Sequence, residues 1–256
     1  MHHDRREFLK TVERIDSNPN ALWIGLGDNA ECIIPGDPRF EPTEIDRHYY
    51  QNNMMGELAV QQTKRFVDAI QPIQSKCLGL ITGNHEQEIL KRHNVDLVKL
   101  SCEELFGRAE LGKKPDGYLS DMAIIRLTFQ RLNDQGERMR SCVKTVLAAH
   151  GCGGGRKGGS TVNRLEDLMG DFDIDIVMFG HVHKRVTTRA ERLGIPAKGK
   201  LVLTVKKQVG GSSGSYYQAY HAGSSSYAQR IMVKPSSLGS IRFMINPNTE
   251  DVEVVN

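Results

Sequence analysis

Five side chains able to ligate a transition metal stand just beyond short apolar runs. Leu22-Trp23-Ile24-Gly25-Leu26 leads into Gly27-Asp28-Asn29, and Cys77-Leu78-Gly79-Leu80-Ile81 leads into Gly83-Asn84-His85-Glu86. Val146-Leu147-Ala148-Ala149 ends in His150-Gly151, and the run from Ile174 to Phe179 ends in Gly180-His181-Val182-His183. A carboxylate has two oxygens and can bridge two divalent ions; Asp28 is the acidic residue placed directly at such an end. Asn84 offers a neutral amide oxygen, and His150, His181 and His183 offer imidazole nitrogens. Mixed nitrogen and oxygen ligation suits manganese first, then iron, zinc or nickel, rather than calcium or magnesium. Two such ions about 3.5–4 Å apart clamp a phosphoryl group and lower the pKa of a water between them. His85 follows Asn84 and so points differently. It suits proton donation to a leaving oxygen, or cationic contact with a phosphate. Glu31 is placed to orient His85, or a ligand, from behind.

Each apolar run reads as a mostly buried strand. In open α/β sheets the loops beyond the carboxyl ends of strands meet in one crevice, so residues far apart in sequence can converge there. Glycine beside each ligand lets the backbone turn sharply and approach an ion closely. Two histidines at i and i+2, as in Gly180-His181-Val182-His183, point the same way on extended backbone.

Between these runs the spacing predicts helices over 4–16, 44–70 (broken near Gly56 and closed by Pro72), 86–93, 95–106 and 161–169. Strands are expected over 124–132 and 140–149 around Asn133-Asp134-Gln135-Gly136, over 201–209, and in a closing hairpin of 241–245 and 252–255. Strands alternate with helices early and dominate late. Neither a repeat nor a flexible linker interrupts the chain, so the expectation is one domain spanning residues 1–256, of undetermined oligomeric state.

With 256 residues, 39% apolar and 25% charged, the chain is long enough for a large core and ordinary for a globular protein. No apolar stretch has the length of a membrane span, and the start Met1-His2-His3-Asp4-Arg5-Arg6-Glu7 lacks a signal-peptide core, so the expected location is cytoplasmic, with no membrane partner. Five scattered cysteines without a Cys-x-x-Cys pair exclude a disulfide framework and a thiolate zinc site. Cys32 and Cys152 stand near proposed ligands, where a small filler role is expected. Residues 138 to 207 carry 14 Lys/Arg against 6 Asp/Glu although the whole chain is only +3, and a basic segment around a metal site suits an anionic substrate.

The signature Gly27-Asp28, Gly83-Asn84-His85-Glu86, His150-Gly151 and Gly180-His181-Val182-His183 resembles that of the calcineurin-like metallophosphoesterases. The stretches 20–32, the glycine-rich loop after His150, and 226–239 look most like the phage-encoded branch. The resemblance implies an α/β fold, a four-layer α-β-β-α sandwich with a dinuclear centre at the strand ends. It also implies Asp28 as bridging ligand, Asn84, His150 and His181 on one metal, His183 on the other, and His85 as the catalytic histidine. The implied activity is hydrolysis of phosphoesters, phosphodiesters ahead of others, with nucleic acid, DNA in particular, as a candidate substrate. In a phage, the place of action would be the bacterial cytoplasm. The competing expectation is a metal- or phosphate-binding protein that keeps the fold without turnover.

One departure stands out. That family opens with a strand ending in Asp-x-His, which serves the metal shared with His183, and this chain has no such motif; His2-His3-Asp4 has the wrong order and follows no apolar run. The expectation is a shortened enzyme lacking its first strand, with one metal fully ligated and the second weakly held. A natural single-metal variant competes with it, and His2 or His3 could lend a ligand instead. In the loop Gly151 to Gly159, Arg156 and Lys157 either reach substrate phosphates or the glycines simply give a tight path around His150; the Gly-Lys-Ser/Thr ending of a nucleotide-binding loop is missing. Tyr216, Tyr217, Tyr220 and Tyr227 either stack on bases or pack on the body of the protein.

Overall fold

The computed structural model describes residues 3–52, 54–151, 158–195, 202–218, 220, 229, 232, 235 and 237–255. It is mixed α/β. Two compact units divide the chain, Met1–Met122 with Ser215–Gly239, and Ala123–Gly214 with Ser240–Asn256. No helix among the described residues is long and apolar enough to cross a membrane.

The first unit begins with α1 (Arg5–Ser17). Phe8, Val12 and Ile15 fall on one face and pack into a core with Val67, Ile70, Leu80, Val98 and Leu105. Asp4 caps the helix by accepting the Glu7 N–H at 3.0 Å. Its last carbonyls are closed by a distant lysine: Lys76 Nζ donates to Ile15 O at 2.7 Å, Asp16 O at 2.6 Å and Asn18 O at 3.0 Å. Two short parallel strands follow, β1 (Trp23–Gly25) and β2 (Cys77–Leu80). Between them lie α2 (Arg47–Gln51) and α3 (Leu58–Ile70). The expected break near Gly56 is present as a 3-10 turn over Met55–Glu57, and the segment beyond Ile70 continues as a 3-10 helix through Pro72. α4 (Asn84–His93) starts two residues earlier than its spacing predicts, so Asn84 and His85 form its first turn. α5 (Leu97–Phe106) is capped by Asp96, which accepts the Lys99 N–H at 2.9 Å.

The second unit holds a five-stranded sheet of order β3-β4-β5-β7-β6. Its strands are β3 (Met122–Leu132), β4 (Arg138–Ala149), β5 (Ile176–Phe179), β6 (Val186–Gly194) and β7 (Thr204–Ser212). β4, β5 and β7 run parallel, with Ala149 opposite Phe179 and Phe179 opposite Ser212. β6 pairs antiparallel with β7 and forms an edge. The sequence gives no clean warning of β6, because Val-Thr-Thr-Arg-Ala-Glu-Arg alternates polar with weakly apolar side chains, as edge strands do. α6 (Gly158–Asp171) packs Leu165 and Met169 onto Leu147, Val177 and Phe179. β8 (Arg242–Asn246) and β9 (Asp251–Val255) form the expected hairpin.

Candidate metal centre

In the first unit, Asp28 lies three residues beyond β1 with φ of 52°, in the left-handed region that few non-glycine residues occupy. Glu86 is what holds it there. This carboxylate is only 3% exposed. Its Oε2 accepts the N–H groups of Asp28 and Gly83, both at 3.0 Å, and its Oε1 accepts the N–H of Asn29 at 2.6 Å and Asn29 Nδ2 at 3.3 Å. Burial raises its pKa, the charge of Asp28 raises it further, and the backbone N–H groups pull the other way. Gly83 leaves no room for a side chain. A Cβ there would run into the Asp28 nitrogen and Oδ1, and would stand 2.6 Å from Glu86 Oε2. Its φ of −90° suits any residue, so glycine is needed here for space.

Asn84 is the first residue of α4. His85 is fixed at three points. Its N–H donates to Asp28 Oδ1 at 3.0 Å. Its Nδ1 meets the main-chain oxygen of Glu31. A carbonyl only accepts, so Nδ1 carries the proton and Nε2 keeps a lone pair. That nitrogen lies 3.3 Å from Arg39 Nη1 and 4.0 Å from Asp28 Oδ2. Glu31 thus meets His85 through its main-chain oxygen. Arg39 is gripped by Asp37, with Nε on Oδ1 at 3.0 Å and Nη2 on Oδ2 at 2.8 Å.

In the second unit, His150 follows β4 directly and is 6% exposed. His181 follows β5 after Gly180, whose N–H donates to His150 O at 3.0 Å and ties the two strand ends together. His181 Nδ1 and His150 Nε2 face each other at 3.2 Å. Two nitrogens bound at about 2.0–2.1 Å to one tetrahedral ion would stand about 3.3–3.4 Å apart, so the pair is already at ligand spacing. His183 does not share the extended backbone with His181 that its spacing predicts. His181 and His183 have φ of 62° and 54°, so the segment bends, and the same-side alternation of an extended strand does not apply.

His150 and His181 are a pair of nitrogen donors that could share a metal ion, and the first unit offers the carboxylate of Asp28. The His3 ring lies 5.5 Å from that of Phe8 and 6.4 Å from that of Tyr216. Tyr216 also packs on Phe8 at 5.1 Å, which favours its packing role over base stacking. Burial pushes the Tyr217 hydroxyl up to about 12. Cys32 is buried among Ala59, Ile89 and Leu97, the filler role expected of it. Arg156, Lys157, Cys152 and Tyr227 lie outside the described residues.

Glu86 stands in the Gly83-Asn84-His85-Glu86 signature without a role assigned to it, and Asp37 and Arg39 stand in no motif. For Glu86 a signal existed, since Gly83 and Glu86 have the N-cap to N3 spacing of a capping box. Asp37 and Arg39 sit in a loop with no periodicity to mark them. No family model, curated protein or solved structure matches the chain.

Proposed function

We propose that this chain is a metal-dependent phosphoesterase in which Asp28, His150 and His181 hold a divalent transition-metal ion and His85 acts beside it. The observation that carries this is the facing pair His150 Nε2 and His181 Nδ1, 3.2 Å apart at the carboxyl ends of adjacent parallel strands. Neutral imidazoles held that close share either one proton or one cation, and transition metals favour imidazole. As the family resemblance implies, Asn84 would add an amide oxygen to this ion, and His183 would serve a second ion together with Asp28. The associated fold is the four-layer α-β-β-α sandwich of the calcineurin-like enzymes, with which the mixed α/β content is compatible.

When bound, the ion supplies Lewis acidity and a nucleophilic water at neutral pH. The chain's own groups do the rest. Glu86 fixes the backbone of Asp28, so that the carboxylate does not need to reorganise. His85 holds its proton on Nδ1 against Glu31 O, leaving Nε2 to exchange a proton with an ester oxygen. The basic surplus over 138–207 favours a phosphodiester, including nucleic acid, as substrate.

The test loads the purified chain with manganese or zinc, counts bound metal by mass spectrometry, and follows hydrolysis of bis-p-nitrophenyl phosphate. His150→Ala and His181→Ala should each lose the metal; His85→Ala should keep it and lose turnover. Metal retained by both histidine variants would refute the centre. Metal bound without hydrolysis of any phosphoester would leave the non-catalytic alternative.

A further inference from the structure

A cavity of about 140 Å³ opens beside His85, between the loop that follows Cys32 and α4. Ile34, Pro35 and Ile89 form its apolar wall, Arg39 and Arg92 supply its cationic groups, and His93 also lines it. Two acids also line it, and each is paired. Arg92 Nε donates to Glu88, and Asp37 takes one edge of the Arg39 guanidinium. The charge balance alone therefore does not make an anion site. The geometry of Arg39 does.

A guanidinium has five N–H donors in a rigid plane. Asp37 takes one on Nε and one on Nη2, and His85 Nε2 takes one on Nη1. Two donors remain, one on each terminal nitrogen, and the side chain is 35% exposed. Asp37 thus freezes the plane and leaves donors for a second acceptor. The hydrogen bonds that Arg39 donates to Asp37 raise its pKa, and the charges of Asp37, Asp28 and Glu31 raise it further, against the lowering effect of burial. Arg39 is held cationic next to the acid that ligates the metal.

We propose that Arg39 binds a non-bridging phosphoryl oxygen of the substrate beside His85, and that the apolar-walled cavity seats the ester group, which is one ring wide. The volume sets the class. A cavity of this size lies below the roughly 300–1,000 Å³ of sites for whole drug-sized ligands, so it takes a single furanose or aryl ring. The substrate is then a phosphodiester presented as an extended single chain or a small diester. A base-paired duplex does not enter. This proposal rests on the phosphoesterase reading, and its test separates the two.

Affinity for inorganic phosphate is measured by calorimetry on the full chain, with and without manganese, in the His85→Ala background. Arg39→Met is expected to weaken phosphate binding about 10- to 100-fold, the range for a lost charge-assisted pair, with Arg39→Lys falling between because it keeps the charge and loses the fork. In the otherwise native chain, Ile34→Trp, which fills the cavity, should raise KM for bis-p-nitrophenyl phosphate while phosphate affinity stays unchanged. Equal phosphate affinity in the Arg39→Met variant overturns the proposal even if the enzyme is active. So does an absence of phosphate binding in the parent, or an unchanged KM after Ile34→Trp. If the parent turns over no ester yet Arg39→Met still costs tenfold in phosphate affinity, the anion site stands and the phosphoesterase reading falls.

Discussion

Replacing Glu86 by Gln tests whether the Asp28 loop is held by one buried carboxylate. The change keeps the volume, so no cavity complicates it. What it alters is the acceptor count. The carboxylate accepts two hydrogen bonds on each oxygen, from Asn29 N and Nδ2 on one side and from Asp28 N and Gly83 N on the other. An amide accepts on one side only. In either orientation its NH2 faces two donors, so two bonds are lost and the donors are left opposed. Bonds to a charged group contribute about 1.5–3 kcal/mol each, and removing a buried charge returns part of that, so the net loss is about 2–4 kcal/mol. The effect should be local. Hydrogen exchange of the Asp28, Asn29 and Gly83 amides should accelerate by about 30- to 1,000-fold, while amides in β4 and β5 keep their protection. Metal affinity should fall with it, because the ligand loop loses its preorganisation. Unchanged exchange at all three amides would show that something other than Glu86 fixes the loop.

Gly83→Ala should displace the Asp28 main chain, at about 1–3 kcal/mol of overpacking, and lower bound manganese at a fixed metal concentration; stoichiometric metal in this variant would contradict the close approach seen at Gly83. Lys76→Met removes the donor to three carbonyls at the end of α1 and should cost about 1–2 kcal/mol in urea unfolding, with the loss appearing as fraying of α1 by hydrogen exchange. The Asp37 carboxyl is held below its usual range, first by the hydrogen bond from Arg39. A depressed folded pKa contributes stability that is present above the ordinary value of about 3.9 and lost as pH falls through the folded value, so Asp37→Asn should flatten the loss of urea stability below about pH 4 and a retained slope would count against the pair.

The elements that periodicity encodes were legible in the sequence. α1 lies within a residue of its expected span because Phe8, Val12 and Ile15 repeat at helical spacing and Asp4 caps the start. The apolar runs before Asp28, Asn84, His150 and His181 are strands or lead out of them, since side chains buried on both faces leave a continuous apolar signature. β6 escaped notice because an edge strand with one open face has no such run. The candidate donor types were legible too, whereas the backbone that aims them was not. His183 was aligned with His181 on the assumption of extended backbone, yet both residues are left-handed. Glu31 illustrates the same limit from the other side. The residue was found, but its main-chain oxygen is what meets His85.

Where the backbone is strained bears on what these loops are for. Asp28, Cys32, His181 and His183 all have positive φ, and each such non-glycine residue costs on the order of 1 kcal/mol. A loop that merely joined a strand to the next element would hold glycine or asparagine there at lower cost. Instead the positions carry a carboxylate, a thiol and two imidazoles. Glu86 accepts the Asp28 N–H, and Gly180 donates to His150 O while its own oxygen accepts from Val182. Cys32 is held by packing and by its N–H on Gln62 Oε1 at 2.8 Å. Strain that is locally compensated and coincides with ligand-type side chains is better explained by the directions those side chains must take than by chain connection. At Asp28 and His181 the fold accepts this cost where the proposed donors stand, whereas Asn94, Ser120, Met232 and Glu250 share the positive φ without a proposed ligand role.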